Sequence, residues 1–176
     1  RKILVAIDGS DESPQVLSRA AGVLSGNDGE LHLIHVIEPL ALAYGADVPM
    51  DVTDLQSGLM KQAREMADKY AGQYNIPEAN VYVDMGSIEK TILDKADKIG
   101  ADLIVVGSHT RSGLALLLGS TARGLVPGAH CDVLAVKVGM GSLHEGAVHA
   151  HGVMGGQACF HAEVVVVFTV HDGGVD

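Results

Sequence analysis

Short apolar runs alternate with amphipathic patterns along most of the chain. Five runs are almost wholly apolar, as expected for strands that are buried on both faces. They cover residues 2–7, 30–37, 80–84, 102–106 and 132–138. Each interval between two runs carries apolar residues at helical spacing. This alternation predicts an α/β fold, in which right-handed crossovers join parallel strands and helices cover both faces of one open five-stranded sheet.

The ends of the helices are marked by residues that begin or stop a helix. The first helix tolerates Pro14 because the N–H that proline lacks has no partner in a first turn, and it ends at the turn of residues 26–29. Thr53 and Gln56 have the spacing of a capping box at the start of the second helix, which Pro77 follows. Each of these signals agrees with the hydrophobic pattern.

The same spacing predicts which face of each helix is buried. In the second helix the inward residues are Leu55, Leu59, Ala63, Met66 and Tyr70. In the third, which Ser87 is placed to cap, they are Ile88, Ile92, Ala96 and Ile99. In the fourth they are Leu118, Ala122, Leu125 and Val126.

The composition changes after residue 138. Residues 139–176 are rich in glycine and hold five of the nine histidines, with one strand-like run at 163–170. We therefore predict a domain at 1–138 and a Gly/His-rich C-terminal extension at 139–176 that carries one candidate strand. An appended or foreign segment is the competing interpretation. The candidate strand would either cover the edge of the fifth strand within one chain or extend the sheet of a partner.

Charge and composition exclude several classes of function. The chain is 47% hydrophobic, enough for one buried core, and its formal net charge of -10 without a Lys/Arg cluster disfavours nucleic-acid binding. No apolar run approaches the length of a transmembrane helix. The cysteines, Cys131 and Cys159, form no CxxC motif and suit a reducing compartment. We expect a cytoplasmic protein with no membrane partner.

Two segments are placed to bind a ligand. In an open parallel sheet, ligands bind past the carboxyl ends of the strands where the strand order reverses. Residues 8–10 follow the first strand, and a loop predicted at 107–113 follows the fourth and leads to Gly119, Ser120 and Thr121. Glycines and unpaired N–H groups at a helix start suit a phosphate chain, and Asp8 suits a ribose hydroxyl or a metal on the phosphates. Alternatively, the glycines serve only the turns and the hydroxyls only cap the helix.

Other chemistries find little support in the sequence. Neither GxxxxGK[ST] nor GxGxxG occurs, which disfavours P-loop and Rossmann sites. No catalytic triad is identifiable, and the C-terminal histidines lack the spacing of a zinc site, so no catalytic or metal-binding residue is predicted. His32 and His35 should face opposite sides of their strand. The charged residues interpreted as a solvated helix surface are Glu12, Asp94, Asp97 and Lys98.

Four segments resemble the universal stress protein family. They are ILVAIDGSDES at the start, ELHLIHV in the second strand, GADLIVVGSHTRSGLALLLGSTA in the middle and CDVLAVKV in the fifth strand. The resemblance covers about residues 1–138. It implies the adenine nucleotide alpha hydrolase-like fold with strand order 3-2-1-4-5, and therefore a reversal between strands one and four. It also implies a homodimer that forms through strand five.

Many members of that family bind ATP or AMP through Gly, two residues, Gly, nine residues, and then Gly with Ser or Thr. Gly107, Gly119 and Ser120 match this pattern, but Thr110 stands at the second glycine and eight residues follow it. The resemblance places adenine near Val36 and Val106, the ribose at Asp8, and the phosphates, with or without Mg, at the glycine segments. The full set of expected contacts is Ala6, Asp8, Val36, Val106, Gly107, His109, Gly119, Ser120 and Thr121.

These observations leave three functions open. The first is a stress-response protein that binds an adenine nucleotide and acts as a dimeric sensor or regulator. The second, suggested by Thr110 and the shortened gap, is a nucleotide-free dimeric interaction protein of the same fold. The third is slow ATP hydrolysis or autophosphorylation on Ser120 or Thr121, for which the sequence places no general base. The stress and the client protein are not specified.

Overall fold

Strands and helices alternate through the part of the chain that resembles the family. The computed structural model describes residues 1–26, 28–39, 53–109, 120–138 and 165–168. Its strands are β1 (Lys2–Ile7), β2 (Glu30–Ile37), β3 (Val81–Met85), β4 (Leu103–His109), β5 (Asp132–Val138) and β6 (Val165–Phe168). Its helices are α1 (Ser13–Leu24), α2 (Thr53–Gln73), α3 (Ile88–Ile99) and α4 (Ser120–Leu125).

The strands form one six-stranded sheet in the order β3-β2-β1-β4-β5-β6. The first five are parallel to their neighbours, which confirms the predicted order of the five parallel strands. The sixth is antiparallel to β5, with Val133 opposite Phe168 and Ala135 opposite Val166. Of the two positions considered for the C-terminal strand, the structure shows the one on the edge of strand five in the same chain.

Two separate cores explain why the parallel strands read as continuous apolar runs. On one face of the sheet, α1 and α2 cover a cluster that includes Ile3 and Val5 of β1. On the other face, α3 and α4 cover a cluster that includes Leu4. Since successive residues of a strand point to opposite faces, each residue of β1 needs an apolar side chain for one core or the other.

Two element bounds differ from the prediction. Residues 107–109, expected in a loop, continue β4, because Gly107 and Ser108 pair with Val136 and Lys137 of β5. The fourth helix ends at Leu125, and Val126 begins a 3-10 turn that contains Pro127, whose ring nitrogen cannot donate a helical hydrogen bond. Leu118, predicted on this helix, lies outside the described residues.

Two predicted helix details are also wrong. Leu55 was expected to face inward, yet it is 57% exposed, and burial along α2 begins only at Ala63. Among the described residues at the start of this helix, none from 54 to 62 is fully buried. Ser87 occupies the N-cap position of α3, but its side chain makes no capping hydrogen bond.

None of the helices in the described ranges is long and apolar enough to cross a membrane.

Candidate functional site

A cleft of about 260 Å³ lies at the carboxyl ends of β1, β2 and β4. Within the sheet, β1 has β2 as its neighbour on one side and β4 on the other, so the strand order reverses at this point. Such a switch point is the usual ligand position in open parallel sheets. The described residues around it come from both faces of the sheet: Ala6, Ile7, Asp8, Ser10, Glu12, Ser13, Val16, Ile34, His35, Val36, Glu38, Ile88, Ile92, Val106, Gly107, Thr121 and Val138.

One half of the cleft is apolar. Ala6 stands opposite Ile34 of β2 and Val106 of β4, so these three side chains form a row across the sheet. Ile88 and Ile92 of α3 pack over the same face of the sheet and cover this apolar half of the cleft. Because the middle residue of the row is an alanine, space is left between larger neighbours. This half therefore suits a flat, mainly apolar group.

The other half is polar and is built by the segment that follows β1. One oxygen of Asp8, Oδ1, accepts hydrogen bonds from the backbone N–H of Ser10 at 2.9 Å, from Ser10 Oγ at 2.7 Å and from Ser13 Oγ at 3.3 Å. Gly9 allows the tight turn because its φ is 80°, in the left-handed region. These bonds fix the carboxylate of Asp8 at the mouth of the cleft.

Helix α2 and strand β2 hold this segment from behind. Tyr74 donates its hydroxyl hydrogen to the carbonyl oxygen of Pro14 at 3.0 Å, and Tyr70 donates its hydroxyl hydrogen to the carbonyl oxygen of Ser10 at 3.5 Å. His35 donates a hydrogen bond from Nδ1 to the carbonyl oxygen of Ile7 at 2.9 Å, because a carbonyl oxygen can only accept. The polar half of the cleft is thus positioned by the core beneath it.

The described lining is acidic. It contains three carboxylates, those of Asp8, Glu12 and Glu38, and no lysine or arginine. Among the described residues, no group of three or more His, Cys, Asp or Glu side chains is arranged to hold a metal ion. A ligand with several negative charges therefore needs positive charge from outside this lining.

The structure brings together most of the residues predicted to contact a ligand. Those that line the cleft are Ala6, Asp8, Val36, Val106, Gly107 and Thr121. Ser120 is exposed and is not among the described lining residues. The backbone of His109 belongs to β4, and its side chain lies outside the described part, as does Gly119.

Gly107 has a packing role that the sequence did not reveal. A Cβ at this position would lie 3.2 Å from Val16 Cγ2 and 3.6 Å from Val138 Cγ2. The glycine therefore lets α1 pack closely over β4 and β5, in addition to lining the cleft. We had expected only close approach of the backbone to a ligand.

Two acidic residues of the cleft were missed. Glu12, interpreted as part of a solvated helix surface, is the N-cap residue of α1 and lines the cleft, so that interpretation was wrong. Glu38 directly follows β2 and also lines the cleft. Both lie at the carboxyl end of a strand or in the turn after it. That position was a usable signal, because it is the edge at which ligands bind.

The two histidines of β2 face opposite sides, as predicted. His35 lines the cleft, whereas His32 is 5% exposed and lies on the face of the sheet that α3 and α4 cover. The ring of His32 stacks on Tyr82 with centroids 6.0 Å apart, and its Nδ1 is 3.1 Å from the Tyr82 hydroxyl. Its buried Nε2 makes no hydrogen bond of good geometry to a described residue, but it faces Glu30 Oε1 at 3.5 Å, close enough to favour the carboxylate of Glu30. His32 therefore takes no part in the cleft.

Comparison with known sequences gives one family. The sequence model described as the universal stress protein family matches residues 1–137. Universal stress protein A homolog 2 of Coxiella burnetii is 42% identical over 142 residues, which cover 78% of this chain and 95% of the relative. Universal stress protein A homolog 1 of the same organism is 37% identical over 138 residues, with coverage of 77% and 95%.

Solved structures show the same fold. The hypothetical protein MJ0577 superposes with a TM-score of 0.65 at 23% identity, covering 79% of this chain and 96% of its own. The universal stress protein UspA of Lactobacillus plantarum gives a TM-score of 0.51 at 25% identity, with coverage of 76% and 95%. At these identities the likeness concerns the fold alone.

Proposed function

The chain belongs to the universal stress protein family, and on this premise we propose that its cleft binds an adenine nucleotide, ATP or AMP. The bound state is the signal that this cytoplasmic stress-response protein transmits. The single observation that carries the proposal is the division of the cleft into two halves. An apolar slot beside a carboxylate and hydroxyl groups matches a flat base joined to a sugar.

The residues of each half assign the parts of the ligand. Adenine lies over Ala6, between Val36 and Val106, in the slot that α3 closes. Asp8 accepts a hydrogen bond from a ribose hydroxyl through the carboxylate that Ser10 and Ser13 hold in place. The phosphates point toward Gly107 and Thr121, and His109, Gly119 and Ser120 are retained as proposed contacts.

Mg²⁺ belongs to this proposal as a companion of the phosphates. Asp8 and Glu12 supply the oxygen chemistry that Mg²⁺ prefers. When bound, the ion would neutralise phosphate charge next to an acidic lining. Since the described lining contributes no lysine or arginine, ATP should depend on Mg²⁺ more than AMP does.

Equilibrium dialysis of the full chain with ATP and AMP, each with and without Mg²⁺, tests the proposal. Asp8→Asn keeps an oxygen for the bonds from Ser10 but removes the charge, so both nucleotides should bind about 10- to 100-fold more weakly, as for the loss of a hydrogen bond to a charged group. Asp28→Asn, at an exposed turn, is the matched control and should bind normally. Absence of binding by the unaltered chain at millimolar nucleotide would refute the proposal.

Ala6→Leu separates the base slot from the phosphate end. The larger side chain fills the slot that the small residue leaves open, so ATP and AMP should lose affinity equally. A variant that still binds both nucleotides normally would place the base elsewhere. Thermal unfolding of the same samples checks that the core beneath Ala6 is intact.

A nucleotide-free interaction protein is the second candidate. It is favoured by Thr110, which stands where nucleotide-binding relatives have a glycine, and by the acidic lining. A native mass spectrum of the purified chain distinguishes the two, because it reports bound nucleotide and subunit number together. A homodimer through strand five and slow turnover on Ser120 or Thr121 both stay predictions.

A further inference from the structure

The charge of the cleft limits which adenine compounds it holds well, an inference that rests on the proposed function. The described lining carries the carboxylates of Asp8, Glu12 and Glu38, and it carries no lysine or arginine. His35 is the one side chain of this described lining that can gain a positive charge. A phosphate group placed among these side chains therefore meets mainly charge of its own sign.

The three carboxylates are held in different ways. Asp8 accepts hydrogen bonds from Ser10 and from Ser13, whose side chain is buried, so its charge is offset by donors of the same turn. Glu12 is the N-cap residue of α1, but its side chain makes no capping hydrogen bond. Glu38 directly follows β2 and is exposed. Asp8 thus belongs to the framework of the turn, whereas Glu12 and Glu38 add negative charge at the mouth of the cleft.

The size of the cleft sets a second limit. Its volume is about 260 Å³, below the roughly 300–1,000 Å³ of pockets that hold drug-sized ligands. In the proposed arrangement the apolar half takes the base, and the polar half beside Asp8 takes the sugar. Little enclosed space is left for a chain of phosphates, so the outer phosphates of ATP would lie at the acidic mouth.

We propose that the cleft selects adenine compounds of low charge, adenosine and AMP, over metal-free ATP, and that Glu12 and Glu38 set this preference. A phosphate monoester such as AMP carries about two negative charges at neutral pH, and each further phosphate of ATP adds to them. One exposed carboxylate changes the affinity for a nearby charge by about 2- to 5-fold, as in other exposed charge pairs. With two such residues, ATP should bind about 10-fold more weakly than adenosine.

The sign of the salt dependence distinguishes repulsion from attraction. Equilibrium dialysis of the full chain with adenosine, AMP and ATP, at pH 8 without Mg²⁺, is repeated at about 0.01 M and about 0.15 M NaCl, over which the screening length falls from about 30 Å to about 8 Å. Screening should strengthen ATP binding several-fold and leave adenosine binding unaltered. In a cleft that attracts phosphates, added salt would weaken ATP binding instead.

The outcomes separate this inference from the proposed function. ATP that binds as tightly as adenosine, or that loses affinity as salt is added, would overturn the charge preference and leave adenine nucleotide binding in place. Absence of binding by all three compounds at millimolar concentration would refute the proposed function and this inference with it.

Single substitutions assign the preference to its residues. Glu12→Gln and Glu38→Gln keep the size and polarity of the side chain and remove one charge. In each variant the ratio of ATP to adenosine affinity should rise about 2- to 5-fold, and in the double variant the two factors should multiply. Impaired folding would lower both affinities together and leave their ratio unchanged.

Glu78→Gln is the matched control. The Glu78 side chain is 91% exposed and lies in the turn that precedes β3, at the amino edge of the sheet, opposite the cleft. The same loss of charge there should leave the ratio of ATP to adenosine affinity unaltered. A ratio that stays the same in Glu12→Gln, Glu38→Gln and the double variant would show that these carboxylates do not set the preference, and the proposal would be wrong.

Discussion

Gly9 offers a sharp test of how the polar half of the cleft is held. Its φ of 80° is one that residues with a side chain rarely adopt, and a Cβ there would lie 3.1 Å from Met66 Cε. Gly9→Ala therefore combines backbone strain with a tight contact to α2. Gly26 has the same φ of 80°, but a Cβ there would have no atom of the described residues within 4 Å, apart from its neighbours along the chain. Gly26→Ala thus isolates the backbone strain.

The two variants should differ by the contribution of Met66. Forcing a residue with a side chain into the left-handed region costs about 1–2 kcal/mol, which is the expected loss in the free energy of unfolding for Gly26→Ala. Gly9→Ala should lose that amount and up to about 1 kcal/mol more, because a flexible methionine moves aside at modest cost. In a chain that also carries Met66→Ala, the cost of Gly9→Ala should fall to that of Gly26→Ala.

Urea unfolding of Gly9→Ala, Gly26→Ala, Met66→Ala and the double variant of Gly9→Ala with Met66→Ala measures these free energies, and an unchanged slope checks that the unfolding transitions are comparable. Binding of AMP adds a second measurement, since Gly9 adjoins Asp8 and Gly26 does not. Gly9→Ala should weaken AMP binding, whereas Gly26→Ala should leave it unaltered. Equal costs for Gly9→Ala with and without Met66 would refute the contact, and a negligible cost for Gly26→Ala would refute the strain.

Two further predictions follow from pKa shifts. Burial, with Asp132 nearby, raises the pKa of Cys131 to about 11. In a Cys159→Ser chain, iodoacetamide should therefore modify the folded protein at pH 8 about 100-fold more slowly than the urea-unfolded chain. Similar modification rates, measured by mass spectrometry, would contradict this. The His32 ring, with help from Lys2, lowers the pKa of Glu30 below its ordinary value of 4.5. The stability it contributes is therefore present above that pH and lost as pH falls through the lowered pKa. The free-energy difference between wild type and Glu30→Gln should shrink in acid, and a difference that stays constant with pH in urea unfolding would contradict this.

Strands buried on both faces were the part of the fold best predicted from sequence. The bounds of β1, β2 and β5 coincide with apolar runs, because each residue of such a strand faces one of two cores. Strand β4 was cut short at Val106, since Gly107 and Ser108 are common turn residues. What keeps them in the strand is pairing with β5, a neighbour distant in sequence that local patterns do not reveal.

The candidate site was predictable where it depends on strand order. Asp8 and Val106 were expected at the switch point because both lie near the carboxyl end of a strand, and both line the cleft there. Glu12 and Glu38 were not, because a charged residue near the end of an element usually faces solvent. Gly107 was expected for a different reason, since only the packed structure shows Val16 against it.

Strand β5 contributes to both the outer edge of the sheet and the cleft, so nucleotide binding and assembly through strand five need variants that separate them. Its residues Val133 to Val136 pair with β6, whereas Val138, two residues later, lines the cleft and packs beside Gly107. A change in β5 itself would therefore alter the edge and the cleft together. Val166→Pro with Val167→Pro, both in β6, leaves every described lining residue unchanged, so a change in subunit number without a change in nucleotide affinity would attribute the effect to the edge alone. Asp8→Asn is the reciprocal case, because it alters the cleft and leaves the pairing of β5 with β6 intact.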